Sequence, residues 1–341
     1  MTSNRSTPTL DDVAKAAGVS TATVSRCLNS PDRVVKATRE RVLMAVETLG
    51  YTPNFGARIM AAKRTFTIGA IIPTMENAIF ARGLQAFQEE LHEQGYTLLV
   101  SSTAYRPDRE EEQIRALISR GADGLLLIGY NRDPEIYNYL DQQDVPALIA
   151  WAYSPLVERP AIGFDNRASM KLLAQEVINR GHQRIGVISA VTKGNDRASE
   201  RLAGITDALN DNGLSADDLP VIQTPYGFDN GEAAMKTIMR ASSPPTAVMC
   251  GNDVLAAGAL RGAKSLGLEV PHDVSVTGFD DIELARILTP SLTTVHVPHG
   301  EMGTKAASAL IALVEGNRSI GPVKLQISVK IRESLGPVPL N

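Results

Sequence analysis

The stretch TLDDVAKAAGVSTATVSRCLN, residues 9–29, predicts two short helices separated by a tight turn. Thr9 and Asp12 can cap the first helix, and Gly18 can end it, because glycine readily adopts the left-handed conformation that closes a helix. A second helix can begin at Ser20 or Thr21. Two helices joined by so short a turn are typical of a helix-turn-helix, which places its second helix in the major groove of DNA.

The second helix should bury Val24 and Leu28, which lie one turn apart, and present short polar side chains on its other face. Such a face can enter the major groove, where hydroxyls bind phosphate oxygens and an arginine can bind guanine through O6 and N7. We therefore predict that double-stranded DNA is contacted by Thr9, Ser20, Thr21, Ala22, Thr23, Ser25, Arg26 and Asn29. Taken alone, the same pattern could also be an ordinary pair of packed helices.

The charge distribution separates this region from the rest of the chain. Residues 1–64 contain ten Lys and Arg and five Asp and Glu, a net charge of +5, whereas the remaining 277 residues contain 24 and 33, a net charge of −9. The amino-terminal part is therefore the one suited to a polyanion.

A third helix is predicted to complete the headpiece over residues 1–50. Val42, Val46 and Leu49 have the spacing i, i+4, i+7 of one buried helical face, and Gly50 ends the helix. Residues 51–65 then form a linker, in which residues 55–62 could make two helical turns that are too short to be stable alone.

From Phe66 onward, apolar runs such as TIGAIIP, YTLLVSS and DGLLLIG alternate with amphipathic helices. The same alternation is repeated after Phe164. Continuous apolar strands between helices indicate parallel sheets covered on both faces. We therefore predict an α/β body of two doubly wound parallel-sheet lobes over residues 66–341. The last segment, with LTTVHVP and VKLQISVKIRESL, has too few elements for a domain of its own, so its strands must complete the earlier sheets.

The words DVAKAAGVSTATVSRCLN, residues 12–29, and LGYTPN, residues 49–54, resemble the LacI/GalR family of bacterial transcription regulators, and the likeness continues through the chain. The resemblance implies a body similar to periplasmic sugar-binding proteins. It places one lobe at about 66–163 plus 295–325 and the other at about 164–294 plus 326–341. It also implies crossovers near Phe164, Thr294 and Gln326 that form a hinge around the cleft.

The resemblance further implies that residues 51–65 form a hinge helix on operator DNA, paired with its dimer mate in the minor groove. On that basis we expect DNA contacts from Asn54, Ala57 and Met60, with Met60 in the place of a leucine that wedges between base pairs. A plain linker packed on the next domain is the alternative. Val35 stands where the family commonly has a serine that caps the third helix and touches phosphate, so one contact should be missing. The resemblance implies a homodimer or a tetramer, and the absence of a leucine heptad after Leu335 favours the dimer.

An effector site is predicted from the rule that ligands bind beyond the carboxyl ends of the strands in open α/β sheets. Rings, arginines, an amide and a carboxylate follow the apolar runs of this chain, and such groups suit a sugar or a small ring. The predicted effector contacts are Phe80, Tyr130, Trp151, Phe164, Arg197, Arg201, Tyr226, Asn252 and Asp280. The resemblance supports Arg201, Asn252 and Asp280, which stand where family members bind small-molecule effectors, although Arg201 and Asp280 could instead mainly pair with each other.

Trp151 occupies a position where sugar- and purine-binding members of the family often carry an aspartate. The exchange removes an acceptor for hydroxyls and adds a flat apolar wall. Because Arg197 and Arg201 lie nearby in the predicted site, we hypothesise that a sugar acid or another small carboxylate is a candidate beside a neutral sugar.

Nothing in the sequence indicates an enzyme, since it lacks a P-loop, a G-x-S-x-G elbow, an H-E-x-x-H motif and a paired C-x-x-C. We expect no catalytic residue, no cofactor and no metal, because Pro298 prevents His296 and His299 from sharing one helical face. A solute-binding protein of a transporter is the rival class for the body alone.

Cellular location is predicted from three features. Cys27 and Cys250 are in different segments and are typical of free thiols in a reducing compartment. The apolar runs are far too short to span a membrane, and the first eight residues are polar. A soluble cytoplasmic protein without a membrane partner is therefore expected.

Overall fold

The computed structural model describes residues 7–29, 31–52, 64–76 and 78–339. The chain divides into two compact units, Met1–Thr65 and Phe66–Asn341. Within the described residues, no helix is long and apolar enough to cross a membrane.

The first unit is a bundle of three helices, α1 (Leu10–Ala17), α2 (Thr21–Asn29) and α3 (Lys36–Leu49), with a 3₁₀ turn at Pro31–Arg33. Its core contains Val13, Ala14, Ala17, Val24, Cys27, Val42, Ala45 and Tyr51. The predicted three-helix core is therefore confirmed. Val46 and Leu49 are only partly buried, because Ala45 and Tyr51 take up part of the space under α3.

The ends of these helices are capped as the sequence predicts. The Thr9 hydroxyl accepts a hydrogen bond from the backbone N–H of Asp12, and the Asp12 carboxylate accepts one from the backbone N–H of Thr9. Gly18 closes α1 in the left-handed region at φ 62°. The Ser20 hydroxyl accepts a hydrogen bond from the backbone N–H of Thr23, which fixes the start of α2.

The first lobe of the second unit is built on a six-stranded parallel sheet in the order β11-β5-β4-β3-β1-β2. Its strands are β1 (Thr67–Ile72), β2 (Thr97–Ser102), β3 (Gly124–Ile128), β4 (Ala147–Ala150), β5 (Ala161–Gly163) and β11 (Val323–Lys324). The helices are α4 (Ala78–Glu93), α5 (Pro107–Ser119), α6 (Pro134–Gln142) and α12 (His299–Val314). Every residue of β1 and β3 is buried, which explains their continuous apolar sequence.

The second lobe contains a four-stranded parallel sheet in the order β7-β6-β8-β9. Its strands are β6 (Ile185–Ser189), β7 (Val221–Gln223), β8 (Ala247–Cys250) and β9 (Ser275–Thr277). Its helices are α7 (Asn166–Asn179), α8 (Asp196–Asp211), α9 (Phe228–Ile238), α10 (Asp253–Ser265) and the short α11 (Leu284–Ile287).

The last segment of the chain joins both lobes. β11 pairs with β5 of the first sheet, and the backbone N–H of Val276 donates to the carbonyl of Ser334 beside the second sheet. The prediction that this segment completes the earlier sheets is confirmed for these two parts. β10 (Thr294–His296) differs, because it pairs antiparallel with β12 (Ser328–Lys330) in a two-stranded ribbon where the chain crosses between lobes.

Candidate functional site

The first unit presents a polar helix face of the kind predicted from its sequence. Thr21, Ala22 and Arg26 of α2 are exposed, whereas Val24 and Cys27 on the opposite side are buried. Within the described part of this unit, no acidic side chain lies within ion-pair distance of Arg26. The guanidinium is therefore available for an external anion or base.

The other predicted DNA contacts divide into two groups. Thr9 and Ser20 already bind backbone N–H groups as helix caps, and Thr23 and Ser25 are half-buried. Asn54, Ala57 and Met60, and the side chain of Asn29, lie outside the described residues. Val35 precedes α3, is 76% exposed, and makes no side-chain hydrogen bond to the helix.

A cavity of about 580 Å³ lies between the two lobes of the second unit, at the carboxyl ends of the strands. The first lobe lines it with the loops after β1 and β2, and the second lobe with the loops after β6 and β7 and the start of α10. Its walls are formed by Thr74, Glu76, Ala104, Tyr105, Ala190, Val191, Lys193, Asn195, Pro225, Tyr226, Gly227, Phe228 and Val254. The volume suits a small metabolite.

Arg201, on α8, is buried and almost completely bonded. Its Nε donates to Oδ1 of Asn166 at 2.9 Å, its Nη1 donates to the carbonyl of Gly251 at 2.6 Å, and its carbon Cζ stacks 3.8 Å above the centre of the Phe279 ring. Its Nη2 lies 3.5 Å from Oδ1 of Asp280. Most contacts of Arg201 are therefore with other groups of this protein, which favours the alternative that it pairs with Asp280 and holds the lobe together.

Asp280 and Asn252 carry buried polar atoms without a partner. Among the described residues, neither oxygen of the Asp280 carboxylate nor Nδ2 of Asn252 has a hydrogen-bond partner, and both side chains are about 1% exposed. Burial raises the pKa of Asp280 to about 7, although the positive charges of Arg201 and Arg197 oppose the shift. Because buried polar groups are normally hydrogen-bonded, these atoms are suited to the hydroxyls or amides of a ligand.

Asn252 also has a structural role. Its Oδ1 accepts a hydrogen bond from the backbone N–H of Leu255 at 2.9 Å and so caps α10. The cap fixes the side chain and leaves the amide nitrogen free to donate.

Arg197 and Tyr130 meet at a contact between the lobes. The guanidinium of Arg197 is buried, and its Nη1 lies 3.1 Å from Oδ1 of Asp196. Asp196 also accepts a hydrogen bond from the backbone N–H of Tyr130, so Tyr130 contributes its backbone to this contact. Both arginines of the predicted site thus have an acidic neighbour.

Phe80, Trp151 and Phe164 are buried and are not among the residues that line this cavity. Their contact with an effector stays a prediction. Trp151 donates from Nε1 to Nδ1 of His299 at 3.3 Å, and its ring centre lies 5.4 Å from that of Phe80. Phe164 stacks on Phe279, the ring that also carries Arg201. These rings pack in the interior of the second unit, and Trp151 does not form a flat wall of this cavity.

Of the nine predicted effector residues, Tyr226 lines this cavity directly. Arg201, Asn252 and Asp280 are buried and are not among its lining residues, although Arg201 and Asp280 lie close enough to Tyr105 in the cavity wall to act on its hydroxyl electrostatically. The sequence reasoning missed Tyr105, Lys193 and Phe228. Tyr105 follows β2 directly, so the rule of strand carboxyl ends, applied to YTLLVSS as well, would have found it.

A helix-turn-helix unit followed by a two-lobed α/β unit with a cleft between its lobes defines a DNA-binding regulator that senses a small molecule. Residues 9–54 match the bacterial regulatory proteins of the lacI family, and residues 174–335 match the periplasmic binding protein-like domain. The chain is 34% identical over 309 residues to the HTH-type transcriptional repressor CytR of Escherichia coli strain K12, an alignment that covers 90% of each protein.

Solved structures show the same likeness. The lac repressor dimer bound to operator and the anti-inducer ONPF superposes with a TM-score of 0.86 at 26% identity, covering 97% of this chain and 100% of that one. A complex of the transcriptional regulator CelR with cellobiose gives 0.71 at 30% identity, covering 96% and 99%. The chain therefore belongs to the LacI family and is a DNA-binding transcriptional regulator with a metabolite-binding body.

Proposed function

We propose that this regulator is a homodimeric repressor that holds an operator through two headpieces and releases it when a small metabolite occupies the cleft between the lobes. The observation that carries the proposal is a set of buried polar atoms without a hydrogen-bond partner, on Asp280 and Asn252, in a body that also contains a cavity between its lobes and in the same chain as a helix-turn-helix. Effector binding would change the relative position of the lobes and thereby lower the affinity for DNA. The coupling free energy between two such sites is typically about 1–3 kcal/mol.

The proposed DNA-binding surface consists of the exposed face of α2 and the start of α1. Arg26 supplies the base contact, and Thr21 and Ala22 are small enough to let α2 approach the base edges closely. Further contacts are proposed from Thr9 at the start of α1, from Ser20 just before α2, and from Thr23, Ser25 and Asn29 in α2. For residues 51–65 the proposal keeps a hinge in the minor groove, with Asn54, Ala57 and Met60 as contacts.

The proposed effector is an uncharged metabolite with several hydroxyls. The acceptor oxygens of Asp280 and the donor nitrogen of Asn252 suit hydroxyl groups, and cellobiose, the ligand of the CelR structure, is such a compound. A sugar acid is less favoured, since Arg197 and Arg201 already have acidic neighbours at 3.1 and 3.5 Å. Binding in the cytoplasm, where operator DNA is present, completes the proposal.

The rival function, solute binding for a transporter, makes a different prediction about DNA. A purified full chain should select a pseudo-palindromic sequence from a pool of random duplexes, and its affinity for that duplex should fall steeply as salt is raised. Metabolites that stabilise the protein should weaken the complex in a gel shift. Selection of no sequence by a protein that binds a metabolite would favour the solute-binding function instead.

A further inference from the structure

Tyr105 lies between two cavities in the cleft. Its side chain lines the cavity of about 580 Å³ and also a second cavity of about 40 Å³, which Arg197, Asp196 and Gly194 border. The ring therefore stands between a larger, mainly apolar space and a smaller, more polar one. If this ring moved, the two spaces would join.

The Tyr105 ring meets a second aromatic ring from the opposite lobe. Tyr105 follows β2 in the first lobe and Tyr226 follows β7 in the second, and their ring centres are 6.0 Å apart with the planes inclined by 44°. A flat molecule stacked between two rings needs about 7 Å, because carbon atoms in contact are about 3.5 Å apart. The two rings thus contact each other now, and a flat ring would fit between them once they separated by roughly 1 Å and turned parallel.

The backbone that carries Tyr105 is held in an unusual conformation. Ala104 and Tyr105 have φ values of 52° and 59°, two consecutive non-glycine residues in the left-handed region. Such strain persists where the surrounding structure imposes it, and it is concentrated at binding sites and at segments that move. The loop after β2 is therefore suited to reposition its ring when a ligand enters.

The charges near Tyr105 favour an uncharged ring. Arg197 and Arg201 both lie close enough to influence the Tyr105 hydroxyl, yet each is paired with a carboxylate, Asp196 or Asp280. Lys193 and Glu76 carry opposite charges at the exposed rim. The aromatic part of the cavity therefore offers stacking, and the polar atoms of Asp280 and Asn252 that lack a hydrogen-bond partner are buried behind its lining residues.

We propose that Tyr105 and Tyr226 form an aromatic clamp across the cleft, which selects effectors that carry a flat, uncharged ring attached to a hydroxyl-bearing group. The flat ring parts the two tyrosines and stacks between them, while the hydroxyls face Asp280 and Asn252. The inference rests on the proposed function, since it takes the cleft to be the effector site. It adds a specificity-determining residue, Tyr105, and a chemical class of ligand.

The test compares ligands that differ only in flatness. Phenyl and cyclohexyl glycosides of the same sugars, with the methyl glycosides, are titrated calorimetrically into the full chain, and adenosine and uridine form a separate arm that identifies a nucleobase as the source of the ring. We expect at least one flat compound to bind about tenfold more tightly than its non-flat counterpart, the scale of one aromatic stacking contact. Tyr105→Leu should bring the ratio of the two Kd values close to one, and Tyr105→Phe should retain it.

The outcomes separate this inference from the proposed function. A ratio near one in the original protein, or a ratio unchanged by Tyr105→Leu, overturns the clamp. If methyl glycosides bind without any gain from an added ring, the clamp is wrong and the effector site stands. If no compound of any class binds, both proposals fail. Partial unfolding of Tyr105→Leu would reduce the apparent affinity for flat and non-flat ligands equally, so the ratio remains the readout. If this variant does not fold, Tyr226→Leu takes its place and should also bring the ratio close to one.

Discussion

The carboxylate of Asp196 in the second lobe accepts a hydrogen bond from the backbone N–H of Tyr130 in the first lobe at 2.5 Å. Gly129, the residue before it, has a φ of 72° and passes directly beneath this contact. A methyl group at this position would collide with Nη1 of Arg197 and with Oδ1 of Asp196. The absence of a side chain therefore lets the lobes approach each other.

Gly129→Ala should force the lobes apart and lower stability. Both Gly129 and Gly213 have a left-handed backbone, but the described part of the chain leaves open space around a methyl group at Gly213. Gly213→Ala therefore measures the backbone strain alone. We expect Gly129→Ala to lower the free energy of urea unfolding by about 1–3 kcal/mol more than Gly213→Ala. Equal losses would show that the contact with Asp196 and Arg197 yields easily.

Asp280 should make stability depend on pH. Burial raises its pKa from 3.8 to about 7 in the folded chain, so between about pH 4 and pH 7 the folded state keeps a proton that the unfolded state has released. The free energy of unfolding should therefore fall as pH rises through this window, by up to about 4 kcal/mol at about 1.4 kcal/mol per pKa unit.

Asp280→Asn tests this dependence because the amide has nearly the same shape and does not titrate. The loss of stability between pH 4 and pH 7 should be smaller in the variant, while Arg197, Arg201, Asp253 and His299 around it are unchanged. Asp218→Asn, at an exposed position of the same lobe, serves as the control. Parallel pH curves for all three proteins would mean that Asp280 is ionised throughout.

Val35→Ser should supply the helix cap that the headpiece lacks. A serine hydroxyl before α3 can accept a hydrogen bond from the backbone N–H of Thr38, which Val35 cannot do. We expect Val35→Ser to be about 1 kcal/mol more stable than Val35→Ala, measured by hydrogen exchange of the first-turn amides of α3. If the first-turn amides of α3 exchange as fast in Val35→Ser as in Val35→Ala, the start of this helix gains nothing from a cap. The serine should also tighten DNA binding if it reaches a phosphate.

Arg26→Ala should relax sequence selection at one base pair. If the guanidinium binds guanine through two hydrogen bonds, the variant loses about 1–3 kcal/mol on the selected duplex and little on duplexes changed at that base pair. Arg109→Ala removes an exposed positive charge from the second unit and controls for net charge. Fluorescence anisotropy over a set of single-base variants distinguishes this outcome from a uniform loss, which would assign Arg26 to a phosphate.

The headpiece was predictable because its signals are local. The capping pair Thr9 and Asp12, the turn at Gly18 and the buried Val24 are separated by a few residues, so helix periodicity is enough to place them. The same local reasoning found the strands of the body, whose apolar runs are continuous.

The aromatic residues of the cleft were harder because their partners are remote in sequence. Trp151 is drawn into the interior by His299, 148 residues later, and by Phe80, which no local pattern reveals. Strand ends identify which side chains reach the cleft region, but packing between lobes decides which of them face the ligand. Tyr105 and Tyr226 meet across the cleft for the same reason, and only the second was predicted.

Both lobes obtain part of their sheet edges from residues 323–338. β11 adds to the first sheet, Ser334 accepts a hydrogen bond beside the second, and the backbone N–H of Val338 donates to Arg180. A ribosome that has translated as far as Thr277 has therefore produced a nascent body with unfinished edges, which are open to wrong pairing until the remaining residues emerge. The headpiece has its core within residues 10–51 and depends on none of them. Translation that stops before Val323 would accordingly release a chain whose headpiece can fold, attached to a body in which neither lobe is closed.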